Sequence, residues 1–98
     1  EDIGERGYRV DRMLEHFVQA GLFENCRAVV FGHFLGGSEP SQPDFSHVPF
    51  ALQRFAEKIR IPVFQGLEAG HGDHQRPLPL GTKAVLMKNE LQVNVGFQ

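Results

Sequence analysis

Two stretches of helical period, separated by a run of strand-forming residues, constrain this chain more than any other feature. Val10, Met13, Leu14 and Phe17 recur at i, i+3, i+4 and i+7, which sets them on one face of a helix over Tyr8 to Ala20. Gly21 follows, where a left-handed residue ends a helix at least cost. Val48, Ala51, Leu52, Phe55 and Ile59 repeat the spacing, and the Ser46 hydroxyl ahead of them can accept free backbone N–H groups. Between the two lies "RAVVFGHF", Arg27 to Phe34, β-branched and aromatic with no helical period, which predicts a buried strand. A second short strand is expected at "IPVFQ", Ile61 to Gln65.

"LGGSEPSQPDFS", Leu35 to Ser46, is rich in Gly, Pro and Ser and reads as a long loop. "TKAVLMK" and "LQVNVGF" read as two strands with their turn close to Asn89-Glu90. The order helix, strand, helix, strand, loop, hairpin predicts an α/β (mixed α+β) domain over 1–98 that ends in a β-hairpin. Ninety-eight residues allow one domain or part of one, and 41% hydrophobic residues suffice for a core. No internal repeat or low-complexity tract interrupts it. The abrupt opening on "EDIGERGYRVDR", without an initiator Met, suggests the interior of a longer protein.

Charge narrows the partners. The net charge is −2 with acids and bases interspersed, so no basic stripe invites nucleic acid. No apolar run approaches the roughly 18 residues of a membrane span. Cys26 is the single cysteine, so no internal disulfide can form, a cytosolic setting is compatible, and the expected role is a small buried residue.

The polar loop "EAGHGDHQRPLPLG", Glu68 to Gly81, raises the functional question. His71, Asp73 and His74 are ligand types for zinc, but the histidine spacing and the absence of CxxC or HExxH favour other readings. A histidine can instead relay a proton if a carboxylate orients it. Gly70 and Gly72 would let the backbone carry His71 close to a substrate, and Pro77 and Pro79 would stiffen the return. Two solvated histidines at a corner remain the plain alternative, and His74 is expected at the rim. Among the others, His16 reads as a boundary residue and His47 as an exposed helix opener. His33 reads as a satisfied structural histidine, with some scope for substrate contact at the end of its strand. The acids Glu1, Asp2 and Glu5 fit a helix-start cluster favoured by the helix dipole.

Taken together, "EDIGERGYRVDRML" (Glu1–Leu14), "VVFGHF" (Val29–Phe34) and "GHGDHQRPLPLG" (Gly70–Gly81) resemble the LD-carboxypeptidase family of serine peptidases. That family includes muramoyl-tetrapeptide carboxypeptidases and microcin C immunity peptidases. The resemblance implies a swivelling β/β/α-type C-terminal domain and a Ser-His-Glu triad, its histidine falling on His71 and its glutamate on Glu1. The nucleophilic serine belongs to a separate N-terminal domain, in a Gly-Phe-Ser-Asp-like motif that this chain lacks; Ser38, Ser41 and Ser46 stand in unrelated contexts. The implied reaction is hydrolysis of an L,D peptide bond, releasing terminal D-alanine from a murein tetrapeptide during cytoplasmic peptidoglycan recycling. It involves no cofactor, metal, nucleic acid or membrane, and family members often form homodimers. The 98-residue chain alone is expected to be inactive. The same motifs fit a microcin-immunity-like amidase acting on an aminoacyl-nucleotide toxin, or a non-catalytic domain retaining the fold. Two departures stand out: Arg6-Gly7 where the family often has Pro, and Gln75 where Asn is common.

Overall fold

The computed structural model describes residues 1–88 and 90–93. Strand β1 (Asp2–Ile3) precedes helix α1 (Gly7–Gln19), which is followed by β2 (Val29–Phe31), β3 (Phe34–Leu35), β4 (Ser38–Glu39) and β5 (Gln42–Ser46). Helix α2 (Val48–Lys58), β6 (Val63–Gln65), β7 (Ala84–Met87) and β8 (Glu90–Val93) complete the order. This is the mixed α/β pattern that the alternating periods imply.

Both helices form where the apolar spacing sets them. α1 ends in a full Schellman turn: Leu22 N–H reaches Phe17 O and Gly21 N–H reaches Val18 O, each at 3.1 Å, with Gly21 at φ +74°. α2 opens with Ser46 Oγ accepting Val48 N–H at 3.1 Å. The helices bury Val10, Val48 and Ala51 against each other, with Met13, Leu14, Phe34 and Leu52 around them. Phe55 extends this core, its ring 5.3 Å from that of Phe23 and 5.7 Å from that of Phe31. Phe17, on the last turn of α1, remains exposed, its ring edge-on to that of Phe23. Exposed ion pairs, Asp11 with Arg54 and Glu15 with Lys58, bridge the two helices outside the core.

The strand expected over Arg27–Phe34 divides. β2 pairs in parallel with β6, Val29 opposite Val63 and Phe31 opposite Gln65. After Gly32 and His33 the chain exchanges partners, and β3 pairs in parallel with β1, Asp2 opposite Phe34. Two bonds of His33 join these pairs: its N–H donates to Ala69 O at 2.8 Å and its carbonyl accepts Asp2 N–H at 3.0 Å. The segment 29–35 is therefore the middle of a three-segment parallel ribbon. The opening acids accordingly split: Asp2 lies in β1, and Glu5 alone serves α1, as the partner of Arg9.

Two further expectations change. The Gly/Pro/Ser stretch holds a small antiparallel hairpin, β4 with β5, in which Ser38 faces Ser46 and Glu39 faces Gln42. Its strands are mostly exposed, so no apolar alternation marks them, and Pro43 is tolerated because one edge of a two-stranded sheet needs no N–H donor. Cys26 is exposed rather than buried; it lies just past the α1 terminus, where its thiol approaches Leu22 O. The β7–β8 hairpin forms as expected, with Met87 opposite Glu90 and Ala84 opposite Val93. Asn89 and the remainder of the expected last strand lie outside the described residues.

Candidate active site

The ribbon brings three distant parts of the chain into one row. Because Asp2 faces Phe34, Glu1 falls beside His33, and His33 in turn bonds Ala69. The chain leaves β6 through Gly66, passes Ala69 and enters Gly70-His71-Gly72. Arg76 closes this loop twice over, donating its backbone N–H to Glu68 O and its Nε–H to the Glu68 carboxylate, both at 2.8 Å. The Glu68 and Arg76 that flank the histidines in sequence are thus the clasp of the loop.

Within that row, His71 Nδ1 stands 3.1 Å from Glu1 Oε2, joining residues seventy positions apart. A carboxylate accepts but cannot donate, so Nδ1 carries a hydrogen, and in the neutral imidazole the lone pair is on Nε2. His71 is 53% exposed, and Nε2 has no hydrogen-bond partner among the described residues. An imidazole oriented at one nitrogen and open at the other can take a proton from a hydroxyl brought to it.

The glycines around His71 are also required by what packs against them. Gly70 sits at φ +120°, and a Cβ there would lie 2.9 Å from Glu1 Oε2 and 3.1 Å from His33 Cβ. A Cβ on Gly72 would lie 2.6 Å from both Cε1 and Nδ1 of His33. Glu1 and His33 thus occupy the space a side chain would need at both positions, and at Gly70 the φ favours glycine as well. Gly72 N–H donates to His33 Nδ1 at 3.0 Å, which fixes the His33 hydrogen on Nε2.

His33 is therefore satisfied, as its strand position suggests, but its partner is the histidine loop itself. Its place at the end of a strand does not reveal this partner; Gly32 carries the signal, since a glycine inside a strand marks close approach of another backbone. A Cβ on Gly32 would stand 2.5 Å from Ala69 O. Asp73 and His74 are exposed and take no part in the contact between Glu1 and His71. No group of three or more His, Cys, Asp or Glu is placed to hold a metal ion among the described residues. His16 and His47 are exposed, and His47 packs edge-on against Phe45 with ring centroids 4.8 Å apart. Arg6 keeps the φ of −70° that a proline would impose, and its guanidinium instead bonds Glu39 and lies over the Tyr8 ring.

An imidazole oriented by a carboxylate is an arrangement that hydrolases use to activate a nucleophile, and here the pair stands at the end of a parallel ribbon. Comparison with known proteins defines the class more closely. Residues 1–86 match the model of the LD-carboxypeptidase C-terminal domain, and the chain belongs to that family. It is 32% identical over 90 residues to a provisionally named carboxypeptidase of Rickettsia conorii, covering 92% of this chain and 26% of the relative. It is 30% identical over 96 residues to the murein tetrapeptide carboxypeptidase of Pseudomonas aeruginosa, covering 94% of this chain and 29% of that one. The crystal structure of muramoyltetrapeptide carboxypeptidase from Oxalobacter formigenes superposes with a TM-score of 0.75 at 29% identity, over 94% of this chain and 33% of that chain. The chain thus spans between a quarter and a third of the length of these proteins.

Proposed function

We propose that this chain is the C-terminal part of a serine-type LD-carboxypeptidase and contributes the histidine and glutamate of a Ser-His-Glu triad. The observation that carries the reading is the 3.1 Å contact between His71 Nδ1 and Glu1 Oε2, with Nε2 left open. Relatives named murein tetrapeptide and muramoyltetrapeptide carboxypeptidase support a murein peptide as the substrate class. In our reading the bond cleaved is an L,D peptide bond, releasing terminal D-alanine in the cytoplasmic recycling of peptidoglycan.

In this reading the serine comes from a preceding domain of the same protein, in a Gly-Phe-Ser-Asp-like motif. His71 Nε2 takes the serine proton as Oγ attacks the scissile carbonyl, and Glu1 stabilises the imidazolium that forms. The same nitrogen then protonates the departing D-alanine amine as the C–N bond breaks and an acyl-serine remains. Water, deprotonated by His71, hydrolyses that ester and restores the serine. The serine domain also supplies donors to the developing oxyanion.

The test is D-alanine release from murein tetrapeptide by the full-length protein. Wild type turns over and His71→Ala does not; equal turnover by the variant refutes the assignment. The isolated 98-residue chain shows no turnover, because the nucleophile is elsewhere. Selective turnover of an aminoacyl sulfamate or phosphoramidate, with the tetrapeptide left intact, would replace the murein substrate with a toxin.

A further inference from the structure

One residue outside the pair holds both of its supports. The His33 carbonyl accepts the N–H of Asp2, which follows Glu1, and the His33 N–H donates to Ala69 O just ahead of Gly70-His71. These two bonds use the main chain and form with almost any residue at position 33. The third does not: Nδ1 of the ring accepts Gly72 N–H at 3.0 Å, on the far side of His71. The ring lies so close to the backbone of Gly72 that no Cβ fits between them.

We propose that His33 is a positioning residue for His71. Its Nδ1 is a fixed acceptor that docks the Gly70–Gly72 loop onto the ribbon, which presents the His71 ring to Glu1. The proposal rests on the reading of His71 as the general base, yet the docking itself is a property of the resting protein and is measurable without turnover. Removing the acceptor leaves Gly72 N–H facing a group that cannot bond it. The site is only partly buried, so water takes that donor when the loop lifts, and the local consequence is undocking rather than unfolding.

Side chains of matched branching test this directly. Asn carries Oδ1, and Leu a methyl carbon, the same number of bonds from Cα as the histidine Nδ1. His33→Asn therefore preserves the acceptor and His33→Leu deletes it. Should His33→Leu fail to fold, His33→Gln, which carries the acceptor one bond further out, is expected to show the same loss. Two readouts on the full-length protein are used. Nitrogen-15 spectra of the His71 ring report the hydrogen on Nδ1 in wild type and His33→Asn, and a shift toward the Nε2-protonated form in His33→Leu, with faster exchange of the Gly72 amide. In tetrapeptide cleavage, kcat falls roughly 2- to 13-fold in His33→Leu, the equivalent of one net hydrogen bond of about 0.5–1.5 kcal/mol. KM stays within about twofold, and His33→Asn recovers most of kcat, because the interaction lost orients the base rather than binding substrate. An unchanged His71 tautomer and Gly72 exchange in His33→Leu, or His33→Asn behaving like His33→Leu, overturns the proposal. The expected spectra in a protein without peptidase turnover would support the docking role and remove the reaction assigned to it.

Discussion

Replacing Gly70 with alanine places a methyl group in the space on which the His71–Glu1 contact depends. Two penalties combine. At φ +120° the backbone is in a region that residues with a Cβ rarely enter, which costs about 1–3 kcal/mol. The added Cβ also stands 2.9 Å from Glu1 Oε2 and 3.1 Å from Glu1 Cβ and His33 Cβ, so these groups must give way. Against this, the loop is docked at Gly72 by a single hydrogen bond with a net value of about 0.5–1.5 kcal/mol. The backbone strain is of the size of that bond or larger, and with the close contacts added the loop moves and the pair opens. A bias of about 1–3 kcal/mol shifts the docked-to-undocked ratio roughly 5- to 150-fold, which sets the upper bound on the fall in kcat for tetrapeptide cleavage. Gly81→Ala is the control: its φ of +70° also favours glycine, though less severely than +120°, and nothing lies within 4 Å of its Cβ. Gly81→Ala keeps the Nδ1-protonated His71 signal and nearly full turnover, while Gly70→Ala loses both. Equal effects of the two substitutions would show that backbone strain alone governs the loop, and would refute the packing role given to Glu1.

Three further expectations concern the pair and the framework beneath it. Glu1→Gln leaves an amide oxygen that can accept Nδ1–H but no charge to stabilise the imidazolium, so kcat falls while KM for the tetrapeptide changes little; a change confined to KM would assign Glu1 to binding. Phe55→Ala, at a side chain 5% exposed between Phe23 and Phe31, destabilises the domain by about 3–5 kcal/mol, read as a lower urea midpoint at constant slope. The Lys58 hydrogen bond, with a further one from Gln19, holds the Glu15 carboxyl below its ordinary value of 4.5. Its contribution to stability is therefore complete above that value and is lost as pH falls below it, so Lys58→Met flattens the acid limb of the stability profile; an unaltered limb would dismiss the pair.

Gly7 shows why local preference misleads at the start of α1. Alanine is the better helix former by about 1 kcal/mol, so propensity predicts that Gly7→Ala stabilises the protein. Yet Gly7 is buried, and a Cβ there would stand 2.5 Å from His47 Cβ and 2.6 Å from the His47 carbonyl carbon. Backbone at the start of α2 cannot swing aside as a long side chain can, so the overlap outweighs the propensity gain. Gly7→Ala lowers the urea midpoint, and a raised midpoint would mean that the two helix starts separate freely.

The same distinction separates what was legible in the chain from what was not. The helices were legible because their apolar spacing is a local record of which face is buried, as at Val10 and Phe55. The β4–β5 hairpin was hidden because exposed strands leave no such record. The break of the central strand at Gly32 was hidden because it depends on a second backbone arriving from residue 69. For the site, periodicity and composition left His71 among three meanings. Resemblance joined it to Glu1, a contact the fold makes across seventy residues. What neither route supplied was the reason for the bare backbone around His71. A glycine in sequence advertises freedom, whereas Gly70 and Gly72 are each bounded by named atoms of Glu1 and His33. The loop is thus one face of a close-packed contact whose other face is two residues on separate strands. A protein that keeps His71 but shortens residue 33 should therefore accept a side chain at 72 that this one cannot, whereas position 70 stays strained by its φ of +120°; Gly72→Ala should be tolerated only when His33 is shortened. In a double-mutant cycle, His33→Ala rescues Gly72→Ala, measured by the urea midpoint. Additive losses would mean that the two positions do not share the space the geometry gives them.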